Sequence, residues 1–291
     1  MKATNTLAAP RPKQTFSTVI NGDAMQGMIR KTLQSTQAAA RFTSTLISAV
    51  ASNEQLASCE ASTIISSALA GEGKGLIYGS GYYLVPYGQK ATFALGYKGM
   101  IQLCLSTGQY ADINCFPVRF GEYRGRNPRT GRPEMDFSVY ETDEQREAQP
   151  IIGYYAYFEL KDGRFCAEYW DHNKILRHAD RYSAAFSLEK YESLVGGTLN
   201  ERDAERLKSG SPWYDLDGDG HRKMCAKTVL RQLLNSGYAP MSNEVRYMMQ
   251  DEASREEESG ALFQNKDAGG TVESEAVDVQ DAKDAFFDGE A

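Results

Sequence analysis

The sequence predicts an α+β fold, a mostly antiparallel sheet of β-hairpins with helices packed on it, and three observations support this. Residues 23–70 show the short-period apolar spacing of helices, and residues 76–170 switch to alternating runs rich in Tyr, Val, Ile and Phe. Residues 171–250 return to helical spacing. No internal repeat divides these segments, so we expect one domain over residues 23–250.

Both ends of the chain are predicted to be disordered. Residues 1–22 are rich in Thr, Ala and Pro and show no periodicity, while residues 251–291 are acidic and poor in aromatic residues. Neither segment offers enough apolar surface to offset the entropy lost on ordering.

Between these ends the elements follow one another in a clear order. The N-terminal helical part closes at the breakers "GEGKG". The runs "YYLVPYG" and "ATFALGY" flank a Gly-Gln-Lys turn, and "IIGYYAYFEL" and "RFCAEYW" flank a Lys-Asp-Gly turn, which predicts two hairpins. Between the hairpins, "KGMIQLCLSTG" predicts a short helix, and "YADINCFPVRF" and "EMDFSVYE" predict strands. Helices are expected again over residues 171–186 and 220–235.

The cysteines and the hydropathy limit the class of protein. Five cysteines are scattered without a Cys-x-x-Cys pair, which predicts neither a disulfide framework nor a zinc site. No window approaches the length of apolar sequence that a membrane span requires, and the N-terminus has no signal-peptide core. We therefore expect a cytoplasmic protein with no membrane partner.

The charge is distributed unevenly along the chain. Residues 251–291 carry 13 of the 39 acidic residues but only 3 of the 32 basic ones, a net charge of −10. The other 26 acidic and 29 basic residues lie in residues 1–250, whose net charge is +3. A basic body on an acidic chain keeps a polyanion, such as a nucleic acid, open as a partner.

Aromatic and basic residues concentrate in the same part of the chain. Fourteen of the 17 tyrosines lie between Tyr78 and Tyr191, in or beside the predicted sheet. They could serve only as good strand residues, or they could stack unpaired bases. Basic residues recur at helical spacing in two segments and cluster in the loop "RFGEYRGRNPRTGRP", which suggests contact with a phosphate backbone although such stripes are often only solvated surface.

Two apparent motifs fail on inspection. "GEGKG" lacks both the earlier glycine and the Ser or Thr of a phosphate-binding loop, so no ATPase signature is present. "DLDGDG" begins like a calcium loop, but Ala226 stands where the bidentate glutamate is needed. Asp215, Asp217 and Asp219 could instead hold magnesium for a nuclease, which remains an alternative.

Three blocks in this order, "GYYLVPYGQKATFALGYKGMIQL", "IIGYYAYFELKDG" and "SPWYDLDGDGHRKMCAKTVLRQLL", resemble the RecT family of phage single-strand annealing recombinases. The resemblance covers about residues 40–250. The arginine loop near residues 124–133 and the segment "LVGGTLNERDAERLKSG" look like insertions relative to the family.

The resemblance implies an ATP-independent protein of homologous recombination that binds single-stranded DNA and pairs it with its complement through an annealed duplex intermediate. Such proteins form homo-oligomeric rings or helical filaments. A phage exonuclease and the host single-strand binding protein are the implied protein partners. No cofactor is required, and Mg²⁺ is expected only as a counterion bound to DNA.

Eleven residues are predicted to contact DNA, from their motif position or helical stripe: Lys98, Arg119, Lys174, Arg177, Arg181, Lys223, Lys227 and Arg231 at phosphates, and Tyr82, Tyr83 and Tyr97 at bases. Alternation along a strand puts Tyr82 and Tyr83 on opposite faces, so at most one of them can face DNA. A self-assembling structural protein is the other alternative to annealing.

Overall fold

The structure is a computed structural model that describes residues 15–243, 245–251 and 254. The helices are α1 Phe16–Ile20, α2 Asp23–Leu33, α3 Thr36–Ala51, α4 Glu54–Ala57, α5 Ala61–Glu72, α6 Tyr97–Ser106, α7 Asp143–Glu147, α8 His172–Tyr182, α9 Leu188–Val195, α10 Glu201–Gly210 and α11 Gly220–Leu234, with a 3-10 turn at Pro212–Tyr214. The strands are β1 Tyr82–Tyr87, β2 Lys90–Leu95, β3 Tyr110–Arg119, β4 Tyr123–Arg126, β5 Pro133–Met135, β6 Ile151–Leu160 and β7 Phe165–Asp171.

The α+β prediction is confirmed, and the strands form separate small sheets. The pairs β1–β2 and β4–β5 are hairpins, and β3, β6 and β7 form an antiparallel sheet in the order β3-β6-β7. Both hairpins predicted from turn residues are present, with Tyr87 opposite Lys90 in the first and Glu159 opposite Phe165 in the second.

The N-terminal helices begin earlier than the sequence indicated. Residues 16–20, which the sequence analysis placed in a disordered arm, form α1, and Ile20 is fully buried in the core. The side chain of Thr15 accepts a hydrogen bond from the backbone N–H of Thr18 and caps this helix. The predicted disorder of residues 1–14 and of most of residues 251–291 lies outside the described residues.

The turn between β2 and α6 depends on a close backbone contact. The backbone N–H of Gly96 donates to the carbonyl of Gly81 at 2.9 Å. A Cβ atom on Gly99 would lie 2.1 Å from that same carbonyl oxygen, far inside van der Waals contact. The Gly-Tyr-Lys-Gly sequence is therefore explained by packing of α6 against the start of β1.

Helix α11 lies on the inner face of the β3-β6-β7 sheet. It buries Cys225, Val229, Leu230 and Leu233 against that face. The thiol of Cys115 on β3 donates to the carbonyl of Ala226 at 3.4 Å, which ties the helix to the sheet. Helices α6 and α8 also contact α11, so one core joins the sheet to the helices on its inner side.

Two regions differ from the sequence prediction. The strand predicted over residues 134–141 is wrong beyond Met135, because Asp136 turns the chain and accepts hydrogen bonds from the backbone and hydroxyl of Ser138. The arginine loop contains the β4–β5 hairpin, and the polar segment after residue 187 contains α9 and α10. These elements were missed because their apolar faces are too narrow to give a periodic signal.

In the part of the chain that the structure describes, every helix is too short or too polar to cross a bilayer.

Replacing Gly99 with alanine should destabilise the fold. The added methyl group meets a backbone oxygen that cannot rotate away, so we expect the free energy of unfolding to fall by at least about 2 kcal/mol. The matched control is Gly27→Ala in α2, where nothing lies within 4 Å of the added Cβ. Better helix propensity should raise stability there by up to about 1 kcal/mol. Urea denaturation of both variants measures the difference, and equal stabilities would contradict the packing explanation.

Candidate nucleic-acid interface

Helix α8 presents a basic outer face because its two sides meet different surroundings. Asp171 at the end of β7 caps the helix by accepting from the backbone N–H of Lys174 at 2.8 Å. The inner side buries Ile175, Leu176 and Ala179. The predicted basic residues, Lys174, Arg177 and Arg181, are exposed on the outer side.

Helix α11 carries the second basic stripe along one edge of a mostly buried helix. Lys223 is exposed and lies 3.8 Å from the carboxylate of Asp219. Lys227 and Arg231, one and two turns further on, are half-buried. The NH2 group of Arg231 donates to the carbonyl of Met249 at 3.0 Å, which ties residues 245–251 to this edge of α11.

A small cleft lies between α8 and α11. Lys227 and Arg231 of the α11 stripe line it, and Lys174 and Arg181 of the α8 stripe lie near His178 at its wall. Its lining includes basic residues, aromatic rings and one histidine: His178, Ala179, Tyr182, Ser183, Trp213, Met224, Lys227, Thr228 and Arg231. Near its α8 side, Lys174 Nζ lies 4.0 Å from the ring centre of Trp170, and the Arg181 guanidinium lies 5.2 Å from that of Tyr182. The structure thus brings the α8 and α11 residues to one surface.

The pKa of His178 depends on its burial and on the positive charges around this cleft. Its ring lies 5.2 Å from Trp170 and 4.7 Å from Tyr182, between the two helices. Burial lowers its pKa most, and the positive charges of Arg231, Lys174 and Arg181 lower it further. A neutral histidine held among cations indicates a surface that favours an anion.

Tyr82 does not fulfil its predicted role in base stacking. It is fully buried, and its ring stacks on Phe93 with 5.5 Å between ring centres. A Cβ atom on Gly71 would lie 2.6 Å from this ring, so the residue is a core residue. The stacking prediction for Tyr82 is wrong, because alternation along β1 turns Tyr82 inward and Tyr83 outward.

Tyr83 and two residues of the Gly-Tyr-Lys-Gly sequence, Tyr97 and Lys98, are at least partly exposed. Tyr83 is 36% exposed, Lys98 is exposed near the start of α6, and Tyr97 is half-buried. Burial raises the pKa of Tyr97, and nearby groups including Tyr83 and Asp219 raise it further. These residues lie outside the lining of the α8–α11 cleft.

The guanidinium of Arg119 is hydrogen-bonded within the protein. Its NH1 group donates to the carbonyls of Glu147 and Gln149, and its backbone N–H donates to Glu122. Glu122 is fully buried and also accepts from Arg146. Arg119 therefore helps to close the loop after β3, and we do not include it among the phosphate contacts.

The three aspartates of the nuclease alternative have separate partners. Asp215 accepts from the backbone N–H groups of Gly218 and Gly220, at 3.0 and 2.9 Å. Asp217 pairs with Lys208, and Asp219 lies beside Lys223. The geometry therefore gives no support to a shared magnesium site, since Asp215 shapes the turn before α11.

Sequence reasoning missed His178 at this surface and an aromatic face on the other side of the sheet. His178 follows Lys174 by four residues, so helical spacing could also have placed it beside the basic stripe. On the outer face of the β3-β6-β7 sheet, Tyr157 stacks on both Tyr155 and Phe165, with ring centres 5.8 and 6.0 Å apart. An aromatic sheet face therefore exists, formed by different tyrosines from those selected.

The fold and the site together define an α+β protein in which two helices with basic outer edges pack beside an antiparallel sheet. A family model described as "RecT family" matches residues 40–264, most of the chain, and the chain belongs to this family. The chain is also similar to a relative from Bacillus subtilis (strain 168) described as "Uncharacterized protein YqaK". The two are 41% identical over 174 residues, which cover 59% of this chain and 56% of the relative.

The electrostatic description of the cleft can be tested at His178. Arg231→Gln removes one of the charges that lower the pKa of His178, so we expect that pKa to rise while burial still holds it below the ordinary value. An NMR titration of the imidazole protons measures the change. The control is Arg222→Gln, an exposed site on the same helix, which should leave the pKa of His178 where it was. Equal responses to the two changes would refute the description.

Proposed function

We propose that this protein binds single-stranded DNA and anneals complementary strands without ATP, as a protein of homologous recombination. Membership of the RecT family supports this function, and the basic cleft between α8 and α11 is the observation that supports our proposal for where DNA binds. We therefore assign the surface around the α8–α11 cleft to the DNA backbone.

Phosphate contact without base readout is the chemistry that annealing needs. The proposed backbone contacts are Lys98, Lys174, Arg177, Arg181, Lys223, Lys227 and Arg231. Lys and Arg that neutralise phosphates bind any sequence, and complementarity between the strands then supplies the specificity. Base edges must stay accessible for the incoming strand, and a groove that binds only the backbone leaves them so.

Stacking is assigned to the outward tyrosines. Tyr83 is exposed and Tyr97 is half-buried near it, so either ring could support an unpaired base, at about 1–3 kcal/mol per base. Tyr82 is excluded from this role by its burial.

The proposed assembly and partners follow the family. We propose a homo-oligomer, as a ring or helical filament on DNA, that acts in the cytoplasm of a bacterial host. A phage exonuclease that exposes single strands and the host single-strand binding protein are the proposed partners. Mg²⁺ is proposed only as a counterion bound to DNA.

The function is tested by annealing two complementary fluorescent oligonucleotides with the purified protein, without nucleotide and across a series of salt concentrations. We expect pairing faster than in buffer alone, with the acceleration lost as salt rises. The strands should remain intact with and without Mg²⁺. Degradation that requires Mg²⁺ would instead favour a nuclease, and polymers that form without any effect on DNA would favour a structural protein.

The location is tested by removing charge from α8. The triple change Lys174→Gln, Arg177→Gln and Arg181→Gln should weaken binding of single-stranded DNA and make the slope of log K against log salt less negative by about 2, at roughly 0.7 per lost phosphate contact. Fluorescence anisotropy across the salt series measures both quantities.

The matched control removes three exposed basic residues from α9 and α10, outside the cleft: Lys190→Gln, Arg202→Gln and Arg206→Gln. This variant changes the net charge equally and should keep the slope within a few tenths of wild type. If both variants lose the same affinity and slope, general attraction rather than the cleft accounts for binding.

A further inference from the structure

Three side chains that can bind a metal converge at the base of the two basic helices. His172 is the first residue of α8, and His221 and Cys225 lie one turn apart near the start of α11. His172 Nε2 lies 2.9 Å from His221 Nε2, and Cys225 Sγ lies 3.5 Å from His221 Nε2. All three atoms lie within 4.8 Å of one another.

Neighbouring groups hold the two imidazoles of this cluster in place. His221 Nδ1 lies 2.6 Å from the carbonyl oxygen of Trp213. Because a carbonyl can only accept, Nδ1 carries the proton and Nε2 presents its lone pair to the cluster. Tyr191 stacks on His221 with 5.4 Å between ring centres and meets the edge of His172, which fixes both rings. A hydrogen bond from the other ring nitrogen to a backbone carbonyl orients histidine ligands in this way in metal sites.

The distances are close to those of a tetrahedral zinc site. Zinc lies about 2.0–2.1 Å from histidine nitrogen and about 2.3 Å from cysteine sulfur, so tetrahedral angles place two nitrogens about 3.3 Å apart and nitrogen and sulfur about 3.6 Å apart. The sulfur–nitrogen distance of 3.5 Å already fits. The two Nε2 atoms face each other in a hydrogen bond, with ring centres 5.2 Å apart, so both rings must turn for the nitrogens to separate by about 0.4 Å more and point at one ion. Cys225 Sγ lies within 4.8 Å of His172 Nε2 and must also move to about 3.6 Å unless it already lies there.

We propose that His172, His221 and Cys225 form a binding site for Zn²⁺ or a similar thiophilic divalent ion. Two imidazoles and a thiolate suit zinc and discriminate against Mg²⁺, which prefers oxygen ligands. Water or the hydroxyl of Tyr154, which lies against the Cys225 thiol, is available for the fourth position. The inference does not depend on the annealing function.

The proton count of metal binding follows from the ligand chemistry. Both imidazoles bind the ion as neutral rings and Cys225 binds it as a thiolate, so the thiol gives up one proton to solvent as the metal binds. His172 moves its proton from Nε2 to Nδ1 through solvent, and binding of one ion therefore releases one net proton.

The site would act as a clamp between the two helices that line the basic cleft. It joins the start of α8 to the start of α11, because His221 and Cys225 stand at i, i+4 on α11 and His172 comes from α8. A bound ion would fix the relative position of the two stripes without touching DNA.

The test uses the full-length protein after treatment with a chelator. Titration with Co²⁺ should give the visible bands of a tetrahedral site and a thiolate charge-transfer band, saturating at one ion per chain, and Zn²⁺ should displace it. Zn²⁺ at about a hundredfold excess over its Kd should raise the Tm by roughly 5–10 °C, whereas Mg²⁺ should not.

Two variants and one control make the result specific. Cys225→Ser should abolish the thiolate band and His172→Gln should weaken binding at least tenfold, with folding checked by circular dichroism. Cys104→Ser, at a buried cysteine on α6, should bind as wild type. The proposal is overturned if Co²⁺ gives no tetrahedral spectrum, or if folded His172→Gln retains wild-type affinity. The three residues would then be a buried hydrogen-bonded cluster in which His172 Nε2–H donates to His221 Nε2.

Discussion

The packing of α11 against the inner face of the β3-β6-β7 sheet is the constraint on which the rest of the structure depends. The helix contacts all three strands or their connections, and α6, α8 and the 3-10 turn are placed by what they bury against it. Its apolar side supplies six buried residues, Cys225, Ala226, Val229, Leu230, Leu233 and Leu234. Each valine or leucine among them contributes roughly 1.5–3 kcal/mol if fully buried. The opposite edge is then left to carry Lys223, Lys227 and Arg231. One helix thus both closes the core and contributes half of the basic cleft.

The basic cleft shows that a chain with a negative net charge still offers a locally basic surface. The net charge of −7 is an average over a strongly acidic C-terminal segment and a mildly basic body. Charges act over about a Debye length of 8–10 Å, so the local arrangement of Lys174, Arg181, Lys227 and Arg231 matters more than the total. Burial lowers the pKa of His178 most, and the positive charges of Arg231, Lys174 and Arg181 lower it further. These charges lie together because two helices from distant parts of the chain share one edge.

Tyrosines divide between core and surface according to strand alternation and sheet layering. Tyr82 and Tyr154 are almost fully buried, and they fill the core between sheets and helices. Tyr155 and Tyr157 lie on the opposite face of the sheet, where they stack on each other. Tyrosines of one segment therefore pack in the core between sheet and helices or stack on the outer face of the sheet. The number of tyrosines in the segment does not reveal which ring lies on which side.

The sequence by itself determined the α+β class, both large hairpins, the helical segments over residues 23–70, 171–186 and 220–235, and the two basic stripes, because each depends on local periodicity and turn chemistry. It also carried the three blocks that resemble the RecT family. Only the tertiary structure decided that Tyr82 is core, that Arg119 binds backbone carbonyls, and that α8 and α11 form one cleft. Only the fold brought His172, His221 and Cys225 together, since His172 is 49 residues from His221 along the chain. Periodicity says which side of an element is apolar, whereas packing decides which elements that side meets, and such long-range contacts leave no local pattern to read.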